Sequence, residues 1–187
     1  MEKKRNRNAI RSVNMIIDAY IELYKELPSD KITVTAIVDR AGLNRSTFYA
    51  HFRGPDDVQQ VLEQKLVDDL LESIKEFGIN DLIYHPNRLI EIVSGRIESK
   101  MKFVKLMFEK HSAARWLESL REAVIEKFMS DPDAMSCADR DELLIRVRYC
   151  IGGYISLCRD CITNRIDKPL GSLTDEIAAV TVKALGK

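Results

Sequence analysis

The sequence predicts an all-α protein: an N-terminal three-helix helix-turn-helix domain followed by a C-terminal helical domain, about nine helices together. Three observations predict it. Apolar residues recur at spacings of three and four through most of the chain, the gaps between these runs fall at Gly, Pro and capping residues, and no run alternates as a strand would. A chain of 187 residues, 45% apolar and 31% charged, can bury a small core and a larger one, with a domain boundary expected between residues 1–54 and 55–187.

Residues 10–27 carry Ile10, Val13, Ile17, Tyr20, Ile21 and Tyr24 on one stripe, and Pro28, which has no backbone N–H, closes that helix. Thr33 is a good N-cap for the next helix. In it Ala36, Ile37 and Ala41 repeat at near-helical spacing, and Gly42 can take the left-handed conformation that ends it. Leu43 plugs the gap before a second short helix, which Asn44 caps by offering its side-chain oxygen to unpaired amides. Phe48 and Phe52, four apart, face inward toward Ile37. A tight helix-turn-helix results over residues 33–52.

The same spacing turns Arg45, Ser46, Thr47, Tyr49 and His51 outward. These side chains suit a DNA duplex. Arg45 can fork onto a guanine edge, Ser46 and Thr47 can reach base or phosphate, and Tyr49 and His51 can hydrogen-bond phosphate oxygens beside the positive end of the helix dipole. The competing reading is a helical hairpin with a merely polar outer face, and the agreement of caps, turn and outward residues favours nucleic acid.

From Pro55 a helix runs to about Phe77, with Val58, Val61, Leu62, Leu66, Leu70 and Ile74 repeating and Gly78 ending it. Further helices are predicted at 86–99, 101–110, 113–130, 138–166 and 173–185, broken at His85-Pro86, His111-Ser112, Asp131-Pro132 and Lys168-Pro169. The last two read as a homodimer unit over about 138–186. Leu143, Leu144, Val147, Ile151, Ile155 and Cys158 form one stripe, Gly152 and Gly153 permit close backbone approach, and Ile177, Val180 and Ala184 form another.

Residues 33–52 resemble the DNA-binding domain of the TetR/AcrR family of bacterial transcriptional regulators. The resemblance rests on Thr33, Ile37, Ala41, Gly42, Leu43, Thr47, Phe48, Tyr49, His51 and Phe52, with Val38 where the family usually has alanine. It extends over about residues 8–75, and beyond them only in helix pattern and length. It implies that Thr33 and Thr35 open the first motif helix against the DNA, that Arg45, Ser46, Thr47 and Tyr49 sit at the major groove, and that His51 touches phosphate; Asn44, at the start of the second helix, is also counted with the DNA-binding residues. Ala50 would offer only a methyl contact to thymine. One position departs: where the family carries a phosphate-anchoring lysine at the next helix start, this chain reads Arg53, Gly54, Pro55, Asp56, Asp57. Arg53 is expected to take over that contact.

The net charge is zero, yet residues 1–54 hold ten Lys or Arg against six Asp or Glu. Much of that excess is an N-terminal arm of Lys3, Lys4, Arg5, Arg7 and Arg11, expected either to follow phosphates or enter the minor groove, or to be a solubilising tail. No apolar run reaches about 18 residues, and residues 1–12 lack a signal-peptide core, so a cytoplasmic location without a membrane partner is expected.

Four cysteines include the pair Cys158 and Cys161, but no second ligand pair lies near, so packing is favoured over a metal or thiol switch involving Cys150, Cys158 and Cys161. His85 and His111 stand at helix breaks without clustered ligands. No carboxylate pair, activated nucleophile or metal triad suggests an enzyme, and no cofactor is expected.

The resemblance implies a ligand cavity among the central helices, for which Ile97, Phe103, Met107, Phe108, Trp116 and Leu120 are the candidate lining. The expectation is a homodimeric repressor on a pseudo-palindromic double-stranded operator, released by a small hydrophobic effector. A DNA-bound adaptor that recruits a protein without an effector, or a thiol-based redox-sensing repressor, are the alternatives.

Overall fold

The structure, a computed structural model, describes residues 2–109 and 113–186 and, within them, every side chain outside residues 2–6, 29, 102 and 109. The described residues form eleven α-helices and no strand. They divide into two compact units, Met1–Leu66 and Val67–Lys187, and the fourth helix crosses the division.

The first unit holds α1 (Glu2–Glu26), α2 (Val34–Ala41), α3 (Arg45–Tyr49) and the start of α4 (Pro55–Ser73). Its core closes on Ile16, Ile37, Phe48 and Val58, each 0% exposed, with the rings of Tyr20 and Tyr24 stacked at 5.7 Å. Two polar ties reinforce it. Arg40 on α2 donates to both carboxylate oxygens of Glu26 on α1, at 3.0 and 2.8 Å, and to Glu22 at 3.3 Å. The Tyr20 hydroxyl donates to Gln59 at 3.0 Å and Gln59 to Glu63 at 2.7 Å, which ties α1 to α4.

Helix α1 starts at Glu2 rather than at residue 10. The segment before Ile10 has no apolar stripe to reveal it, but Glu, Lys and Arg propagate a helix well and neither Gly nor Pro interrupts them. The expected basic arm is therefore part of a helix. Arg7 and Arg11 are exposed on it, while the side chains of Lys3, Lys4 and Arg5 lie outside the described residues.

The second unit contains α5 (Ile79–Tyr84), α6 (Pro86–Ser99), α7 (Met101–Glu109), α8 (Ala113–Met129), α9 (Pro132–Met135), α10 (Arg140–Ile162) and α11 (Thr174–Leu185). Helices α5 and α9 exceed the expected set. Six and four residues are too short to show a period, and their signals are local: the Asp81 carboxylate accepts the Gly78 N–H at 2.7 Å, and Asp131 caps a turn that Pro132 opens. Proline thus starts a helix at a point that reads as a break.

Helix α10 stops at Ile162 instead of running to residue 166. Asn164 there adopts φ 56°, and the N–H groups of Asn164 and Arg165 donate to Cys161 and Asp160 at 3.2 and 2.8 Å, a Schellman ending built on asparagine. The break at His111-Ser112 lies outside the described residues, as does His111 itself. His85 is exposed between α5 and α6.

Around α10 the unit closes on α6, α8 and α11. Both oxygens of Glu122 on α8 accept from Arg148 on α10, at 2.9 and 3.0 Å. Ser94 on α6, fully buried, pairs with the Tyr154 hydroxyl on α10 at 2.9 Å.

The stripe expected to dimerise is mostly internal: Leu143, Val147, Ile151, Cys158 and Ile177 are at most 8% exposed within the single chain. A helix with packed neighbours on one side buries its strongest apolar stripe there, and a lone sequence cannot say which neighbour that is. The large apolar groups left outside on these helices are Ile145 and Tyr149 on α10, 69% and 71% exposed, and Val180 and Val182 on α11, at 60% and 38%.

Candidate nucleic-acid interface and an apolar cavity

The turn between α2 and α3 forms as its residues dictate. Thr33, in extended conformation, accepts the Ala36 N–H at 3.2 Å and starts α2. Gly42 at φ 64° ends it, with the Gly42 and Leu43 N–H groups donating to Asp39 and Val38 at 3.3 and 2.9 Å. Those two bonds are a Schellman motif, which a β-carbon at position 42 would strain. Asn44 then caps α3. Its side-chain oxygen accepts the Thr47 N–H at 2.7 Å.

Phe48 and Phe52 sit inside the unit at 0% and 4% exposure, 5.8 Å apart between ring centres, and they orient the rest of α3. Thr33, Thr35, Asn44, Arg45, Ser46, Tyr49 and Arg53 are exposed, and Thr47 and His51 are partly so. The Phe52 N–H still donates to Phe48 at 2.9 Å, so helical bonding continues past Tyr49 toward His51.

The structure also gathers residues that sequence reasoning treated separately. Arg45 donates to the Thr35 hydroxyl at 2.5 Å, so one residue from each motif helix forms a pair on the exposed face. The hydroxyls of Ser46 and Thr47 both donate to the Asn44 oxygen at 2.7 Å. With the Thr47 amide, that oxygen serves three donors with two lone pairs, so one hydroxyl is readily released to another acceptor.

Asp57 has a local role where the lysine is missing. Its carboxylate accepts the Arg53 N–H at 2.9 Å and is thereby engaged at the start of α4, while the Arg53 side chain remains exposed.

A second feature lies within the second unit, where α4, α5, α6, α8, α10 and α11 surround a cavity of about 80 Å³. Ile97, Trp116 and Leu120 line it, as do Leu70, Tyr154 and Thr181. The expected lining residues Phe103, Met107 and Phe108 do not. They belong to α7, which packs against α6, α8 and α10 without reaching the cavity. Sequence reasoning missed the contribution of α10, because its cavity face coincides with the stripe read as a dimer seam.

Three of the four cysteines sit in surroundings that disfavour the thiolate. Burial pushes the Cys158 and Cys150 thiols up, and desolvation together with nearby acidic charge does so at Cys161, so the reactive thiolate is depleted at neutral pH. Among the described residues no group of His, Cys, Asp or Glu could hold a metal ion, and no helix is long and apolar enough to cross a membrane.

Residues 16–58 match the profile described as "Bacterial regulatory proteins, tetR family". No curated protein matches the chain. Among solved structures, one described as "Dihydroxyacetone kinase operon activator DhaS" superposes with a TM-score of 0.66 at 16% identity, covering 94% of this chain and 97% of that one. At that identity the likeness concerns the fold, which spans both units. Residues 16–58, within the first unit, thus form a domain of the kind that the model of the bacterial tetR regulatory proteins describes, which supports a DNA-binding transcriptional regulator.

Proposed function

We propose that the protein is a homodimeric transcriptional repressor that binds a pseudo-palindromic operator through two copies of α3 and is released by a small hydrophobic effector. One observation carries the DNA-reading part. Helix α3 is held rigidly by Asn44 and Gly42 and anchored by buried Phe48 and Phe52, so that Arg45, Ser46, Thr47, Tyr49 and His51 stand together on an accessible face. In this reading Arg45 takes a base edge, Tyr49 and His51 take phosphates, and Arg53 supplies the backbone anchor. Two such helices spaced about 34–36 Å apart read half-sites one helical turn apart.

The cavity supports an effector over a purely protein-recruiting adaptor, whose centre would be packed shut. Leu70 lines the cavity from α4, and the same helix begins at Pro55, beside the motif in sequence. A ligand that favours one arrangement of α4 therefore biases the DNA-binding unit, by no more than its differential affinity for the two states. The solved neighbour is by name an activator, so the sign of regulation is tested separately with a promoter-reporter assay in the presence and absence of this protein.

The exposed face of α10 supports dimerisation. Gly152 and Gly153 follow Ile145 and Tyr149 along it, and a β-carbon at either glycine would meet nothing within 4 Å in the single chain. Packing inside the chain gives no reason for two helix-weakening glycines there, and close approach of a second copy does.

The deciding experiment is a gel shift on DNA upstream of the protein's own gene and its neighbours. Arg45→Ala and Tyr49→Ala are expected to lose binding at least tenfold, and proteins that bind as well as wild type would refute the assignment of α3.

A further inference from the structure

One residue on the wall of this cavity carries a hydrogen-bond donor without an acceptor. Trp116 is 4% exposed and lines the wall, and its indole Nε1 is buried without a hydrogen-bond partner among the described residues. Buried tryptophan N–H groups normally find an acceptor, because leaving one unpaired forfeits its hydration. The hydroxyls nearby already have partners, Tyr154 pairing with Ser94 at 2.9 Å and Thr181 donating to the Ile177 carbonyl at 2.8 Å, and the Cys150 and Cys158 thiols on the wall are only weak donors. No charged side chain is among the described lining residues.

We propose that the effector is an uncharged, compact, mainly apolar molecule bearing a hydrogen-bond acceptor, a ketone-like or ether-like oxygen, which accepts from the Trp116 indole N–H. This rests on the reading of the cavity as the effector site and adds the chemistry that selects its occupant. The lack of a charged partner disfavours carboxylates, phosphates and amines, since a desolvated ion here would have nothing to neutralise it. With the Tyr154 and Thr181 hydroxyls already partnered, Trp116 is the strong donor on this wall without an acceptor, and so the group that distinguishes an oxygen-bearing ligand from a plain hydrocarbon of the same shape.

The test uses two nearly isosteric probes, acetophenone and α-methylstyrene, which differ in a C=O against a C=CH2. Trp116 is the single tryptophan of the chain, so its indole N–H gives one unambiguous resonance in a proton–nitrogen correlation spectrum of the full-length protein.

With wild type, acetophenone is expected to move that resonance downfield and α-methylstyrene to leave its hydrogen-bond shift unchanged while perturbing neighbouring methyl signals. In W116F, which keeps an aromatic ring but no donor, acetophenone is expected to weaken about tenfold and α-methylstyrene less than twofold. If both probes perturb the cavity methyl signals but the indole resonance ignores acetophenone, or if W116F weakens both equally, the role of Trp116 is overturned and the cavity reading stands. If neither probe perturbs any cavity signal at saturating concentration, both readings fall.

Discussion

Arg45 illustrates how much a single contact adds to a motif. The residue is exposed on α3, but its bond to Thr35 restricts a long flexible side chain before any DNA arrives. Holding one such side chain offsets about 0.5–1.5 kcal/mol of ordering on binding. Thr35→Val is therefore expected to weaken operator binding roughly two- to tenfold, less than Arg45→Ala, with both measured by fluorescence anisotropy; wild-type affinity in Thr35→Val would show that the pair has no such role. On the proposed reading Arg53 acts on phosphate through its charge alone. Arg53→Ala is expected to weaken binding to all sequences alike and to lower the slope of log K against log salt by about one, and an unchanged slope would remove it from the phosphate contacts.

The cysteines are also decided residue by residue. Cys137 is exposed, Cys150 is half-buried and Cys158 is nearly sealed. With burial holding the last two thiols protonated at neutral pH, iodoacetamide at pH 7.5 should label Cys137 first and reach Cys158 only on unfolding, as read by mass spectrometry. Rapid labelling of Cys158 in the native protein would restore the redox alternative.

At the scale of elements, caps and ion pairs set where helices end and how they meet. The Arg40 pair with Glu26 joins α1 and α2, and hydrogen bonds from Arg40 hold the Glu26 carboxyl below its ordinary value of 4.5. A carboxylate depressed on folding stabilises the native state above its unfolded value and loses that contribution as pH falls through the folded one. The melting temperature of Arg40→Gln should therefore lie below wild type at pH 6, and the gap should close as the pH falls below 4.5 toward 3. The pair is solvent-exposed, so the gap is small. A gap that stays constant with pH would mean that Arg40 acts through packing.

Helix ends also explain what could be read in advance. Thr33, Gly42 and Asn44 are short-range devices: each acts on backbone groups within about four residues, so α2 and α3 are legible from sequence. Asn164 performs the same task as Gly42 at the end of α10, but asparagine is a weaker signal and the predicted end overran it. Helices α5 and α9 hide for another reason, since a single turn displays no period.

At the scale of the whole molecule, the glycine pair separates folding from association. Replacing Gly152 and Gly153 by alanine should raise the helical stability of the single chain by up to about 1 kcal/mol per site, because neither new methyl meets an intrachain neighbour. The same change should weaken a dimer that brings backbones together at α10. Sedimentation equilibrium checks this, with a larger monomer fraction expected in the double variant at equal concentration. An unchanged or tighter dimer would place the interface elsewhere.

The helical class, the turn from Thr33 to Phe52 and the outward polar set on α3 can be read from the residues alone, because they depend on local backbone chemistry and one short period. Long-range packing sets which stripe of α10 faces its own chain, why Ile97, Trp116 and Leu120 line the cavity while Phe103, Met107 and Phe108 do not, and that Thr35 meets Arg45. Spacing along a helix says which residues share a face. The partner of that face is set by elements distant in sequence, whose packing no local rule encodes.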